Sequence, residues 1–284
     1  MGALAHSGHG GQCKAKTMSA LDEDDLAPAH VSLLITCVVD VVAPEVGEAA
    51  VRLLRASGCT VTCDLSQTCC GQPAWNAGFA EEAATVARTT LAALETELSR
   101  GADLVVVPAG SCATMVRLFW PELFEIVGDL EAAERARRVG ERTRELTELL
   151  AERSAALPEL RLWNPKRITL HQSCHLLREL DVVDQPAELL GLIEGCELVE
   201  WSGSDRCCGF GGTFSVKLPE TSVAMADEKL RAVGAVGADL VVGCDTSCLL
   251  HMRSRSEAVG TPIEIRHVAQ VLQEALPAGA GRRA

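Results

Sequence analysis

Eight of the chain's 13 cysteines fall into a pattern with chemical potential. Cys69 and Cys70 stand side by side in QTCCGQP, and Cys207 and Cys208 do so in DRCCGFGG. Each pair is flanked by single cysteines, giving C-x31-CC-x41-C for Cys37, Cys69, Cys70 and Cys112, and C-x32-CC-x39-C for Cys174, Cys207, Cys208 and Cys248. Four thiolates brought to one place suit a tetrahedral zinc ion or an iron–sulfur cluster. Structural zinc sites usually draw ligands from short knuckles two to four residues apart, because one small ion about 2.3 Å from each sulfur needs closely held donors. The spacing here is mostly different. Adjacent cysteines send their side chains in divergent directions, which suits different irons of a larger object. Gly71, Gly209, Gly211 and Gly212 would then let the backbone approach a bulky anionic group and donate amides to it. Zinc in one half is the alternative.

The eight cysteines belong to a repeat. GADLVVVPAGSC, ending at Cys112, returns as GADLVVGCDTSC, ending at Cys248, with eight of twelve positions identical at an offset of 136. The cysteine pair returns at 138, and Cys37 after VSLLIT returns at 137 as Cys174 after RITLHQS. Three landmarks sharing nearly one offset indicate a duplicated unit.

Within each unit short apolar runs alternate with helical patterns. The first predicts strands over 31–37, 60–65 and 103–108, helices over 44–56 and 79–99, and a charged amphipathic helix over 129–152. The second predicts strands over 167–173, 197–201 and 239–243, helices over 186–194 and 219–235, then a final strand and helix in IEIRHVAQVLQEAL. Such alternation gives an α/β fold, here two duplicated Rossmann-like lobes with mainly parallel sheets flanked by helices. The expected domains are 29–160 and 161–276, with a proline-bearing linker around 157–165 and disordered tails at 1–28 and 277–284. In open parallel sheets ligands bind beyond the carboxyl ends of the strands, where each lobe's four cysteines are expected to meet.

Composition bounds the remaining possibilities. With 284 residues, 48% of them hydrophobic, the chain has material for two ordinary cores. Cysteine makes up about 5% of it, short of a disulfide scaffold, and an odd count rules out complete pairing. The first thirty residues hold no apolar run of signal-peptide length and nothing later reaches the ~18 apolar residues of a membrane span, so the expected location is the cytoplasm, where clustered thiols more often mean metal or redox chemistry. A formal charge of −13, no tyrosine and 3% aromatics argue against nucleic acid. CCGFGG does not meet G-x-G-x-x-G, so nucleotide binding is not indicated. The charges of 129–152 read as a solvated helix face or a partner surface. Cys13, Cys59, Cys63 and Cys196 fall outside the repeat and are assigned to tail or core. His171 and His175 flank Cys174, as iron ligands or cluster-tuning groups or else as ordinary capping or surface residues. Arg178 and Lys217 read either as cations facing the cluster or as solvated surface.

The strings CVVDVVAPEVGEAAVRLLRASGC, CCGQPAWNAGF, PAGSC, HQSCH, CCGFGGTFSVK and HVAQVL resemble the cysteine-rich CCG-domain family over about residues 31–275, and more narrowly its lactate-utilization members. Related families include the iron–sulfur subunit of glycolate oxidase and the CCG-bearing subunit of heterodisulfide reductase. The resemblance implies an iron–sulfur protein that works with two partners, one of them also an iron–sulfur protein, in oxidising L-lactate to pyruvate and passing electrons onward. The fullest family pattern ends each motif in C-x-x-C, but position 109 is alanine and position 245 aspartate. Four-cysteine 4Fe-4S clusters, one or two, are therefore the expectation rather than five-cysteine non-cubane ones. Cys244, in C-x3-C with Cys248, offers a substitute ligand or simply a packed thiol. No flavin motif and no C-x2-C-x2-C-x3-C ferredoxin run is present, so partners must supply those functions. The rivals are an oxidoreductase acting directly on a disulfide or quinone, or a subunit of a glycolate oxidase, and a zinc-stabilised interaction module without a redox role.

Overall fold

Each half of the chain builds the same four-stranded sheet. The computed structural model describes residues 29–282. The first sheet contains β1 (His30–Leu33), β2 (Thr60–Thr62), β3 (Leu104–Val107) and β4 (Thr143–Glu145), in the order β2-β1-β3-β4. The second contains β5 (Leu160–His171), β6 (Ile193–Leu198), β7 (Leu240–Gly243) and β8 (Glu264–His267), in the order β6-β5-β7-β8. Every pairing is parallel. The expected α/β fold of two similar lobes is therefore present. The central strands are short runs of valine, leucine and isoleucine with both faces covered, as parallel sheets require. In both lobes the order reverses between the first and third strands, leaving a crevice beyond their carboxyl ends.

Several elements differ from the sequence reading. Residues 129–152 are not one helix. Helix Leu130–Glu141 stops, β4 adds a fourth strand, and helix Leu146–Glu152 follows. Only three residues long, β4 is too short to show alternation, and Thr143 and Glu145 are polar although fully buried. The expected linker at 157–165 is largely strand: β5 starts at Leu160, buries Leu160 and Leu162, and bulges before Lys166 around Pro165, which cannot donate to the ladder. Residues 110–126, left unassigned by the periodicity, are helical from Gly110–Thr114 through a π-turn at Met115–Phe119 to Trp120–Ile126. That π-turn lies just before Pro121, whose missing N–H interrupts regular bonding. Strand 60–65 ends at Thr62, and the second lobe's second strand begins at Ile193 rather than 197.

The lobes share a core. One apolar cluster runs from Val31 on β1 to Leu272 and Ala275 in the last helix, Val268–Ala275, which packs on Pro44–Ala56 of the first lobe. Helix Gln185–Gly191 packs on Leu146–Glu152. Gly110 approaches Leu176 of the other lobe so closely that a Cβ there would lie 2.3 Å from its Cδ1. Among the described residues no helix is long and apolar enough to cross a membrane. The tail 1–28, with Cys13, and residues 283 and 284 lie outside the described residues, whereas 277–282 form hydrogen-bonded turns against the backbone of Arg52.

Glu145 on β4 caps helix Leu146–Glu152. Its carboxylate accepts from the Thr147 amide at 2.6 Å and from the Thr147 hydroxyl, and burial pushes its pKa up to about 7 from an ordinary value of 4.5. A raised carboxyl pKa contributes stability that is complete below the unfolded value and is lost as pH rises through the folded one. Glu145→Gln should match wild type near pH 4.5 and become more stable than it by about 3 kcal/mol by pH 8. Urea unfolding across this range checks it, and parallel pH profiles for the two proteins would contradict it.

Candidate metal centre

The single cysteines sit in first helical turns immediately beyond the central strands. Cys37 opens helix Cys37–Val42, whose Thr36 hydroxyl accepts from the Val39 amide, and Cys174 opens Cys174–Arg178, capped in the same way by Ser173. Cys112 lies in Gly110–Thr114 after β3, and Cys248 in Thr246–Ala258 after β7, capped by Asp245. Serine, threonine and aspartate are here for an ordinary reason, since they satisfy the free amides of a helix start. The paired cysteines lie in the loops after β2 and β6. All eight thiol residues, with Gly211 and Gly212, line a single cavity of about 100 Å³ between the lobes.

Within each lobe the sulfurs form a string. Cys37 Sγ lies 3.5 Å from Cys69 Sγ, and Cys70 Sγ 3.3 Å from Cys112 Sγ. In the second lobe Cys174 pairs with Cys207 and Cys208 with Cys248. None is in a disulfide. Charge is divided unequally along each string. S–H donation from Cys37 and Cys70 holds Cys69 down to about 3, with help from the Gly71 amide, and donation from Cys174 and Cys208 holds Cys207 down to about 2. Their neighbours are pushed up: Cys37 and Cys174 by that same hydrogen bonding and by burial, Cys70 and Cys208 by bonds on both sides. One thiolate per foursome is thus favoured, and each further negative charge meets repulsion in a half-dry site. A cationic iron or zinc held there would relieve that repulsion.

The glycines of the two CCG loops are required by geometry. Gly71 and Gly209 have φ of +88° and +89°, and a Cβ on them would lie 2.8 Å from the Ala83 carbonyl oxygen and 2.6 Å from that of Ser222. Their amides donate to Cys69 Sγ and Cys207 Sγ, each at 3.4 Å, and the Phe210 amide donates to Cys208 Sγ at 3.4 Å. Gly211 and Gly212 also have positive φ, and Phe214 crowds Gly211.

Other expected residues stand elsewhere. Cys244 is buried against Thr147 and Glu145 and does not line the cavity. Arg178 donates to the Asp205 carbonyl, and Lys217 lies over the Phe79 ring at 5.6 Å. Cys59 is core, Cys63 accepts from Gln67 at 2.7 Å, and Cys196 is half-buried on β6. His175 lines the cavity, with Nδ1 2.6 Å from the Glu179 carboxylate. His171, at the end of β5, is buried and held neutral: burial and the nearby Lys229 charge depress its pKa to about 3.

Four residues outside the cysteine and glycine pattern also contribute. Lys229 is 2% exposed and donates to the carbonyls of Gly203 and Ser204, each at 3.1 Å, and of Arg206. Burial lowers its pKa to about 8, against the pull of the nearby Cys208, Cys248 and Cys207 thiols. Asp245 accepts the Ser111 amide across the lobe interface at 3.0 Å, so the aspartate in the C-x-x-C place joins the two lobes. Gln72 donates to the Ser111 carbonyl at 2.8 Å, and the Trp120 indole to the Cys70 carbonyl at 2.8 Å. A lysine on a helix reads as surface until the fold buries it. The repeat did offer one signal, since Lys229 takes the place of Thr90, which likewise bonds to its own cysteine loop.

Comparison with known proteins recognises the same two units. A family model described as a cysteine-rich domain, CCG, matches residues 31–117 and again 168–253. Lactate utilization protein A 1 of Bacillus mycoides (strain KBAB4) is 41% identical, over 86% of this chain and 96% of its own length. Lactate utilization protein A of Exiguobacterium sp. (strain ATCC BAA-1283 / AT1b) is 40% identical, over 86% and 97%. An aspartate racemase homologue of Pyrococcus horikoshii OT3 aligns over 86% of this chain and 95% of its own, at 11% identity and a TM-score of 0.33, too remote to bear on function. With its two matched units each closing four thiols onto the shared cavity, the chain belongs to the cysteine-rich CCG-domain family.

Proposed function

We propose that this chain is the iron–sulfur electron-carrying component of a system that oxidises L-lactate to pyruvate, holding 4Fe-4S centres at Cys37, Cys69, Cys70 and Cys112 and at Cys174, Cys207, Cys208 and Cys248. The observation that carries the reading is the convergence of both foursomes on one cavity. The donor set fits such a group: sulfur ligands in fours, backbone amides aimed at sulfur, and positive-φ glycines that leave the approach clear. A bound cluster supplies one-electron transfer there. The relatives' names support lactate as the fuel, and the resemblance supports two partner proteins in the cytoplasm, one of them also an iron–sulfur protein.

The residues divide the work of holding and tuning. Eight thiols bind. Gly71, Gly209 and Phe210 direct amides at sulfur and so stabilise negative charge, while Lys229 fixes the second loop by its carbonyls. Oxidation of lactate releases two electrons and two protons, and the hydroxy acid itself is assigned to a partner.

Anaerobic purification should give a brown protein with iron and inorganic sulfide in equal amounts. Colourless protein holding zinc would contradict the reading. Cys207→Ser should lose the second-lobe share of both elements and keep the first, because a hydroxyl replaces thiolate poorly. Unchanged content would remove Cys207 from the ligands. Gly209→Ala should lower unfolding stability by about 2 kcal/mol or more, from left-handed strain and overlap with Ser222, and reduce iron retention in the same lobe. Wild-type stability and iron content would contradict it.

A further inference from the structure

The repeat makes each lobe a control for the other, and at one position next to the sulfurs they differ in kind. His171 ends β5 one residue beyond Leu170, which pairs with Val242. Its counterpart, Leu34, follows Leu33, which pairs with Val106. Both are buried, His171 1% exposed and Leu34 also 1%. Leucine therefore fills this place in the first lobe without any polar group. In the second lobe neither ring nitrogen of His171 completes a hydrogen bond. An imidazole left so costs about 1–3 kcal/mol for an unsatisfied group, which packing alone does not explain.

The ring has a sulfur environment. A nitrogen of His171 and the sulfurs of Cys208 and Cys248 all lie within 4.8 Å of one another, and all three residues are buried. The Ser204 carbonyl lies near the ring and accepts from the Gln172 amide and the Lys229 ammonium, each at 3.1 Å. His171 does not line the shared cavity, so it approaches these two sulfurs from the end of the strand and leaves the cavity side to the thiols.

We propose that His171 is a nitrogen ligand of the second lobe's metal centre, which makes the two centres of the chain chemically different. The inference rests on the iron–sulfur reading above. The first lobe, with Leu34, is an all-thiolate site. The second has four thiolates and an imidazole, so that one of its irons would carry two protein ligands, and it is backed by the buried Lys229. Ligand identity and local charge both set the potential of such centres, so the two would hold an electron with unequal strength.

Wild-type full-length protein grown with 15N-histidine, reconstituted anaerobically with ferrous iron and sulfide, tests this by pulsed paramagnetic resonance of the reduced state. The expected result is a strong nitrogen coupling on one of two centres that changes with the isotope. His171→Leu, which copies the first lobe, should lose that coupling, keep the second-lobe sulfide and shift one of the two midpoint potentials, while His175→Leu keeps the coupling. A wild-type protein that holds iron and sulfide but has no histidine coupling, or a coupling that survives His171→Leu, overturns the proposal. Failure of wild type to bind iron and sulfide, seen in chemical analysis beforehand, overturns the iron–sulfur reading and this inference with it.

Discussion

Four thiols strung so that each lies within hydrogen-bonding reach of the next cannot all ionise without positive charge between them, and this constraint is present twice. Each foursome favours one thiolate, at Cys69 or Cys207, and pushes its neighbours toward the neutral form. Thiolate is the form that binds metal, so metal loading here would be coupled to ionisation. The rest of the fold serves to keep the sulfurs together despite that repulsion. The strands aim short helices whose first turns carry the single cysteines, and the left-handed glycines turn the paired cysteines inward.

Duplication alone would give two equal sites. The lobes are unequal where it bears on charge. Thr90, a hydroxyl on the first cysteine loop, is answered by the ammonium of Lys229 on the second. Leu34 is answered by His171, and Ala109 by Asp245, whose carboxylate reaches back to the amide of Ser111 in the first lobe. The interface is knit by these polar links and by the close approach of Leu176 to Gly110, so the cavity has walls from both halves. On the proposed reading, two dissimilar centres at one cavity would give electron flow a direction.

Much of this was legible in the sequence because repetition is a long-range signal. An offset of 136 to 138 residues, together with apolar runs bounded by glycine and proline, was enough to anticipate paired α/β lobes and cysteines beyond the strand ends. What escaped depends on tertiary context. β4 is three residues of Thr-Arg-Glu that become strand because β3 offers them a ladder, and the stretch 157–165 joins a sheet because Leu160 and Leu162 meet the core. Lys229 is written as a helix-surface lysine, yet three carbonyls receive it. His171 read equally well as a capping residue, and only its burial without partners marks it out.

The central claim concerns where iron sits, so locating the iron is its most direct test. Crystals of the anaerobically reconstituted chain, measured on both sides of the iron absorption edge, should give two anomalous maxima, one beside each foursome and both between the lobes. A single maximum away from the cysteines, or peaks that appear only at the zinc edge, would contradict the account.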